Sequence, residues 1–307
     1  MAQATVQTAK PVRTSFFQGK VWRRFRRNPL GIIGLTLIVL FVLVALLAPF
    51  IAPVQDSNFG TTLGVPNRMA QQGYSPIPVA PSAAHPFGLA QDGYDIFFGV
   101  VWGTRTAFLV GITVTGISLV IGVLIGLLAG YFGGWLDALL MRLTDIIFAF
   151  PQLVLLITLA VVVGRNVPLL ILAISVLGWT VYARIVRAEV LKVKGLEYVD
   201  AARSLGAFNS RIILRHVLPN SLTSLLAQVS LDIGSVVLLF AALSFLGVGA
   251  PSGFPDWGQL INLSRSWITQ PQYWFTFVYP GVTIILFGVA WNLLADAVRE
   301  ATDPRSV

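Results

Sequence analysis

The chain has 307 residues, 56% of them hydrophobic, 11% charged and none of them cysteine. Its apolar residues run in stretches too long for a water-soluble core, so lipid is expected to surround most of it. The net charge of +8 does not indicate nucleic acid, because the basic residues sit in particular loops. The missing cysteines exclude disulfides, thiolate zinc sites and thiol catalysis.

Residues 1–29 carry seven basic residues and no acid, which marks a basic segment on the cytoplasmic side. Asn28 and Pro29 suit a cap and a first helical position, opening a first span over 30–51. That run of 22 residues is longer than the apolar stretch of a signal peptide. Residues 52–105 contain only two basic residues, Arg68 and Arg105, and six prolines, which predict an external loop or cap of irregular backbone. The second span, 106–132, carries Gly111, Thr115, Ser118, Gly122, Gly126 and Gly130 along one face, for close helix packing or for a pore lining.

The third span, 136–163, contains Asp137, Arg142 and Asp145, so its first two turns should lie outside the hydrocarbon, and Pro151 should bend it. A fourth span covers 167–186, a fifth 222–246 and a sixth 275–294. Residues 247–274 hold Arg265 as their only basic residue, with PSGFPDWGQL and then Trp267, Tyr273 and Trp274, suggesting a short interfacial helix on the outer side. Basic and basic-poor loops alternate, which puts both termini, including the tail 299–307, in the cytoplasm. The fold expected is an all-α membrane protein with six transmembrane helices, whose residues 106–298 form a five-helix core with the first helix outside it.

Residues 189–220 are a polar insertion between the fourth and fifth spans that a simple bundle does not need. Leu196, Val199, Ala202 and Leu205 give a short helix an apolar edge beside Glu197, Asp200 and Arg203, and Gly206 stops it. Asn209 or Ser210 could cap a second helix with Ile212, Ile213, Val217 and Leu218 on its apolar face, ended by Pro219 before the fifth span. Such an amphipathic pair fits a groove on another protein or the surface of a membrane equally well.

The pattern DAARSLG, nine residues, then HVLP resembles the EAA loop of ABC importer permeases, whose usual form is Glu-Ala-Ala, three residues, Gly, nine residues, Ile-x-Leu-Pro. Asp200 stands for the family Glu and His216 for the Ile. RRNPLGIIGL, HPFGLAQDGYD, MRLTDIIFAFP, ALSFLGVG and PGVTIILFGVAWNLLADAVREATDPR extend the resemblance over nearly the whole chain, to the C-type subunit of dipeptide and oligopeptide importers. In HPFGLAQDGYD, Leu89, Ala90 and Tyr94 depart from the family's Thr-Asp and Arg. The resemblance implies the type I ABC importer permease fold and a loop that enters a cleft on an ATPase subunit. It implies that Glu197, Asp200, Ala201, Ala202, Arg203, Leu205 and Gly206 make that contact. It also implies a second homologous permease subunit, two ATPase subunits that use ATP and Mg, and an extracytoplasmic solute-binding protein, in a prokaryotic cytoplasmic membrane. Peptide is the cargo expected, with nickel complexes or glutathione as alternatives.

No phosphate-binding loop follows Gly133 and Gly134, and the two histidines, His85 and His216, lie in different compartments by this topology. The chain is therefore expected to be neither an enzyme nor a holder of any cofactor. An ion-coupled transporter using Asp232 and Asp296 would leave the loop unexplained, and Asp145 with Asp232 lacks the setting of an intramembrane protease. At 100° per residue, Ser221, Ser224, Gln228, Asp232 and Ser235 form a polar stripe on the fifth span, so Gln228, Asp232 and Ser235 are expected on the translocation path. A packing role for Asp232 is the alternative.

Overall fold

The computed structural model describes residues 20–54, 60–222 and 225–302, without the side chains of Lys20, Val21 and Val163. The basic segment up to residue 19, the stripe residue Ser224 and the last five residues lie outside it. Among the described residues five helices are long and apolar enough to cross a bilayer: α2 (Pro29–Ile51), α3 (Ile96–Phe132), α6 (Val167–Lys194), α10 (Leu225–Phe245) and α12 (Phe275–Thr302). Counted as one span, the bent pair α4 (Gly134–Phe148) and α5 (Gln152–Val163), whose axes turn by 81°, is the sixth. Pro151 stands in the break, as its missing N–H and its ring require.

A short helix α1 (Lys20–Phe25) precedes α2, and the side chain of Asn28 accepts the Gly31 amide at 3.0 Å to start α2. Phe25 packs with Ala297 and Ala301 of α12. Gly34 lets α2 approach α12 closely, because a Cβ there would stand 2.9 Å from the Ala290 carbonyl.

The second span begins ten residues earlier than expected, at Ile96. Asp95 caps it by accepting the Phe98 amide, and Phe98, Val101 and Trp102 are buried with Met69, Tyr94 and Phe275, so tertiary packing extends the helix past the Arg105 boundary. Residues 60–95 are otherwise irregular, as the prolines predicted, with a minimal hairpin of β1 (Thr61–Thr62) and β2 (Val65–Pro66). The departures Leu89, Ala90 and Tyr94 are all buried there, and the Tyr94 hydroxyl accepts from Arg68 Nε at 3.3 Å. The helix expected at the interface in the other loop is α11 (Trp257–Leu263), and it is buried in the bundle instead: Trp257 and Leu260 are enclosed, with Trp257 Nε1 donating to the Val100 carbonyl at 3.0 Å.

The small residues of α3 face neighbouring helices. Gly122, Gly126 and Gly130 receive Tyr182, Val186 and Val190 of α6, and Gly111 receives Ile233 of α10. A row of glycines four apart thus lets α3 and α6 run side by side in backbone contact. The fourth span continues past Val186 to Lys194, whose ammonium donates to the Gly130 carbonyl at 2.7 Å and satisfies the open end of α3. Arg187 of α6 bonds Asp137 of α4, and Arg184 bonds Asp145 at 2.7 Å, so the polar first turns of α4 are held to α6.

Candidate coupling loop and membrane cleft

After α6 the chain enters α7 (Glu197–Ser204) and ends it as the sequence predicts: Gly206 has φ +80°, its amide bonds the Arg203 carbonyl at 3.0 Å, and the Ala207 amide bonds the Ala202 carbonyl at 3.1 Å. This doubly bonded glycine turn closes the carbonyl end of the helix, and a side chain at Gly206 would be strained by φ alone. Val199 is fully buried, in one cluster with Val190 and Val193 of α6 and with Ile212 and Val217. Each such side chain contributes about 1.5–3 kcal/mol on leaving water, which fixes the loop to the bundle. Glu197, Asp200, Ala201 and Arg203 lie exposed on the outer side, with Arg203 Nη1 3.2 Å from Asp200 Oδ1, and Ala202 is half-buried. Leu205 does not join the apolar edge: it is 88% exposed, and Phe208 beside it is 81% exposed.

The second helix of the loop differs from expectation at both ends. Neither Asn209 nor Ser210 caps it; the N-cap is Phe208, and Asn209 instead accepts the Tyr131 hydroxyl at 2.7 Å, which ties the loop to the end of α3. The run α8 (Asn209–Ile212) passes through a π turn at Ile213–Val217 into α9 (Leu218–Ser221), and Pro219 lies in the first turn of α9 rather than ending the helix.

On α10, Gln228 Nε2 donates to Asp232 Oδ1 at 2.9 Å. Asp232 and Ser235 line a cleft of about 420 Å³ with Thr115 and Ser118 of α3, Ile174 and Gly178 of α6 and Gln152, the first residue of α5. A second hollow of about 250 Å³ shares Gln152, Gly178 and Val181 with it, beneath the bend made by Pro151. Ser221 does not line this cleft; it is fully buried and donates to the Val217 carbonyl at 2.9 Å. Two further polar groups stand at the cleft or beside it. Thr115 was legible as a member of the small-residue row, for packing or a pore lining, and Tyr182 only as an aromatic within a span. The buried Thr115 Oγ1 has no hydrogen-bond partner, and the Tyr182 hydroxyl stands beside Asp232 without reaching hydrogen-bond geometry. Among the described residues no group of three or more His, Asp or Glu could hold a metal.

Residues 122–307 match the family described as binding-protein-dependent transport system inner membrane component, and residues 15–66 match the N-terminal TM domain of oligopeptide transport permease C. The chain is 36% identical to the dipeptide transport system permease protein DppC of Alkalihalophilus pseudofirmus, over 93% of this chain and 89% of that one. It is 33% identical to the glutathione transport system permease protein GsiD of Pectobacterium atrosepticum, over 99% and 96%. A solved amino acid ABC transporter superposes with a TM-score of 0.46 at 17% identity, over 64% of this chain and 91% of that one. With a family match over more than half its length and relatives aligned nearly end to end, the chain belongs to the binding-protein-dependent transport system inner membrane components and is a multi-pass permease subunit of an ABC importer.

Proposed function

We propose that this chain is one of two permease subunits of a peptide importer, coupled to a pair of ATPase subunits through α7 and the Gly206 turn. The observation that carries the reading is the pair of exposed apolar side chains, Leu205 and Phe208, on a loop otherwise fixed by buried Val199, Ile212 and Val217. An apolar tip on a rigid base suits insertion into a groove of a neighbouring protein. Glu197, Asp200 and Arg203 would line the rim of that contact, and Ala201 and Ala202 would allow its close approach. ATP and Mg would be used by the partner subunits, the chain itself holding no cofactor. The basic end of the bundle, with α7 and both termini, faces the cytoplasm of a prokaryotic cell in this reading, and residues 60–95 and 247–274 meet the binding protein outside. Relatives named for dipeptide and glutathione transport support small peptides as the cargo, with glutathione as the second candidate.

Proteoliposomes holding both permeases and the ATPases, with the binding protein supplied, test this directly. ATP-dependent uptake of alanyl-alanine or glutathione is expected, and none without the ATPases. Uptake by this chain alone, driven by an ion gradient, would overturn the reading. Sidedness is checked separately, since the chain lacks cysteine: in intact cells an impermeant thiol reagent should label Ser82→Cys and Ser266→Cys but not Ser204→Cys.

A further inference from the structure

The cleft beside α10 has a chemistry that helix packing does not require. Asp232 lies about 10 Å along α10 from Leu225 and about 20 Å from Phe245, well inside the apolar span. A carboxylate at such depth needs partners. Within this chain it has the Gln228 amide on one oxygen and the Tyr182 hydroxyl nearby, and no Lys, Arg or His lines the cleft. Across the same cleft Thr115 holds a hydroxyl that is buried and bonded to nothing. Buried polar groups are almost always satisfied, so an unpaired hydroxyl lining the same cleft as a carboxyl group with no cationic partner in it marks a place where a ligand supplies what is missing. The remaining wall is apolar, with Val114, Ile174, Val236 and Leu239.

We propose that this cleft is a subsite for a primary ammonium group, held by the Asp232 carboxylate and the Thr115 hydroxyl, with an apolar flank for the carbon beside it. An ammonium has three N–H donors and takes single oxygens from different directions. A guanidinium would seek both carboxylate oxygens side by side, and one of these already receives Gln228. A divalent cation would seek more oxygen ligands than one carboxylate and one hydroxyl provide. The assignment rests on the proposed function, in which the cargo carries a free amino terminus past this point, and it deepens that function by naming the group the membrane subunit reads.

Ser235 is exposed, lines the cleft and makes its only described side-chain bond to the Leu231 carbonyl of its own helix, so Ser235→Cys places a single thiol at the site in a chain with no other. In the assembled transporter, without ATP or binding protein, the rates of modification by aminoethyl and sulfonatoethyl methanethiosulfonate are compared. The cation-to-anion rate ratio should be about tenfold higher with Asp232 than with Asp232→Asn, the size of effect one charge a few ångströms away gives in a partly wet cleft. Alanyl-alanine should slow labelling by N-ethylmaleimide, N-acetyl-alanyl-alanine should not, and Asp232→Asn should abolish the difference. Thr115→Val should weaken the protection severalfold while leaving the charge ratio in place. Equal ratios with and without the carboxylate, equal protection by the two peptides, or a thiol that no reagent reaches would overturn the subsite. So would an Asp232→Asn complex that fails to assemble, since the carboxylate would then be holding subunits together. Because the assay needs neither ATP nor transport, a complex that fails to import peptide yet shows both the charge ratio and the selective protection would sink the peptide-import reading alone.

Discussion

Residues 60–95 and 250–275 close one end of the bundle on itself. The Met69 amide bonds the Gly253 carbonyl at 2.7 Å, Thr106 Oγ1 bonds the Pro255 carbonyl at 2.7 Å, and Trp267 Nε1 bonds Gln91 at 3.1 Å. Asp256 is buried as the cap of α11, and Phe254, Trp257 and Phe275 are buried as well. The opposite end is finished only on its inner side. There Val199 is the one buried residue of α7, while Leu205 and Phe208 stand in the open. Apolar surface enclosed by the chain contributes to its own stability, whereas apolar surface left out is available to a partner. A change at the closed end should therefore act on folding, and a change at the open end on coupling.

Glycine substitutions give the largest contrast. A Cβ at Gly258 would collide with the Ala241 backbone, while a Cβ at Gly206 would meet nothing within 4 Å. Gly258→Ala should cost on the order of 4 kcal/mol or prevent folding, because neither backbone can give way. Gly206→Ala should cost only about 1–2 kcal/mol, from the left-handed φ. Thermal unfolding of the purified subunit in detergent measures both, and similar losses at the two glycines would break the contrast.

Smaller is the pH effect of Asp256. Burial pushes its carboxyl up to about 6, against the opposing hydrogen bonds from Ser244 and from the amides of Gln259, Gly258 and Trp257. The folded chain thus holds a proton that the unfolded chain, at its ordinary value of 3.8, has lost. The stabilisation is complete below about pH 4, is lost as pH rises through about 6, and amounts to about 3 kcal/mol at most. Asp256→Asn, which keeps a capping side chain, should flatten this part of the profile relative to the parent. An unchanged slope would mean that the carboxyl is not the titrating group.

The smallest expected effect on stability is at Leu205. With 88% of the residue exposed, Leu205→Ser should shift stability by less than about 0.5 kcal/mol yet lower cargo-stimulated ATP hydrolysis of the complete transporter at least fivefold. A large loss of stability would show that the open end is packed after all.

The six spans and the Pro151 bend were legible because lipid imposes length and hydropathy on a sequence, and proline imposes a break. The Gly206 turn was legible for the same kind of local reason, a conformation that other residues resist. What the sequence concealed depended on neighbours far along the chain. The early start of α3 rests on Met69 and Phe275 covering Phe98 and Trp102. The burial of α11 rests on the space beside Gly258 and Gly103. The polar stripe was half legible: Gln228, Asp232 and Ser235 share a face, but Ser221 lies beyond the start of α10, where a fixed 100° step no longer applies.

The π turn at Ile213–Val217 has a further geometric meaning. Ile212 and Val217 are both completely buried although they are five residues apart. In an α-helix that spacing would aim them about 140° apart. The wider turn aligns them by taking in one residue beyond what an α-helical turn holds. The connection from the loop to α9 and the Asp232 helix is therefore wound with a residue in reserve. Drawn into ordinary helical register, that residue would rotate one flank against the other by about 100°. In mechanical terms the join has the geometry of a swivel, and the glycine-lined seam between α3 and α6, where backbones already touch, that of a fixed frame.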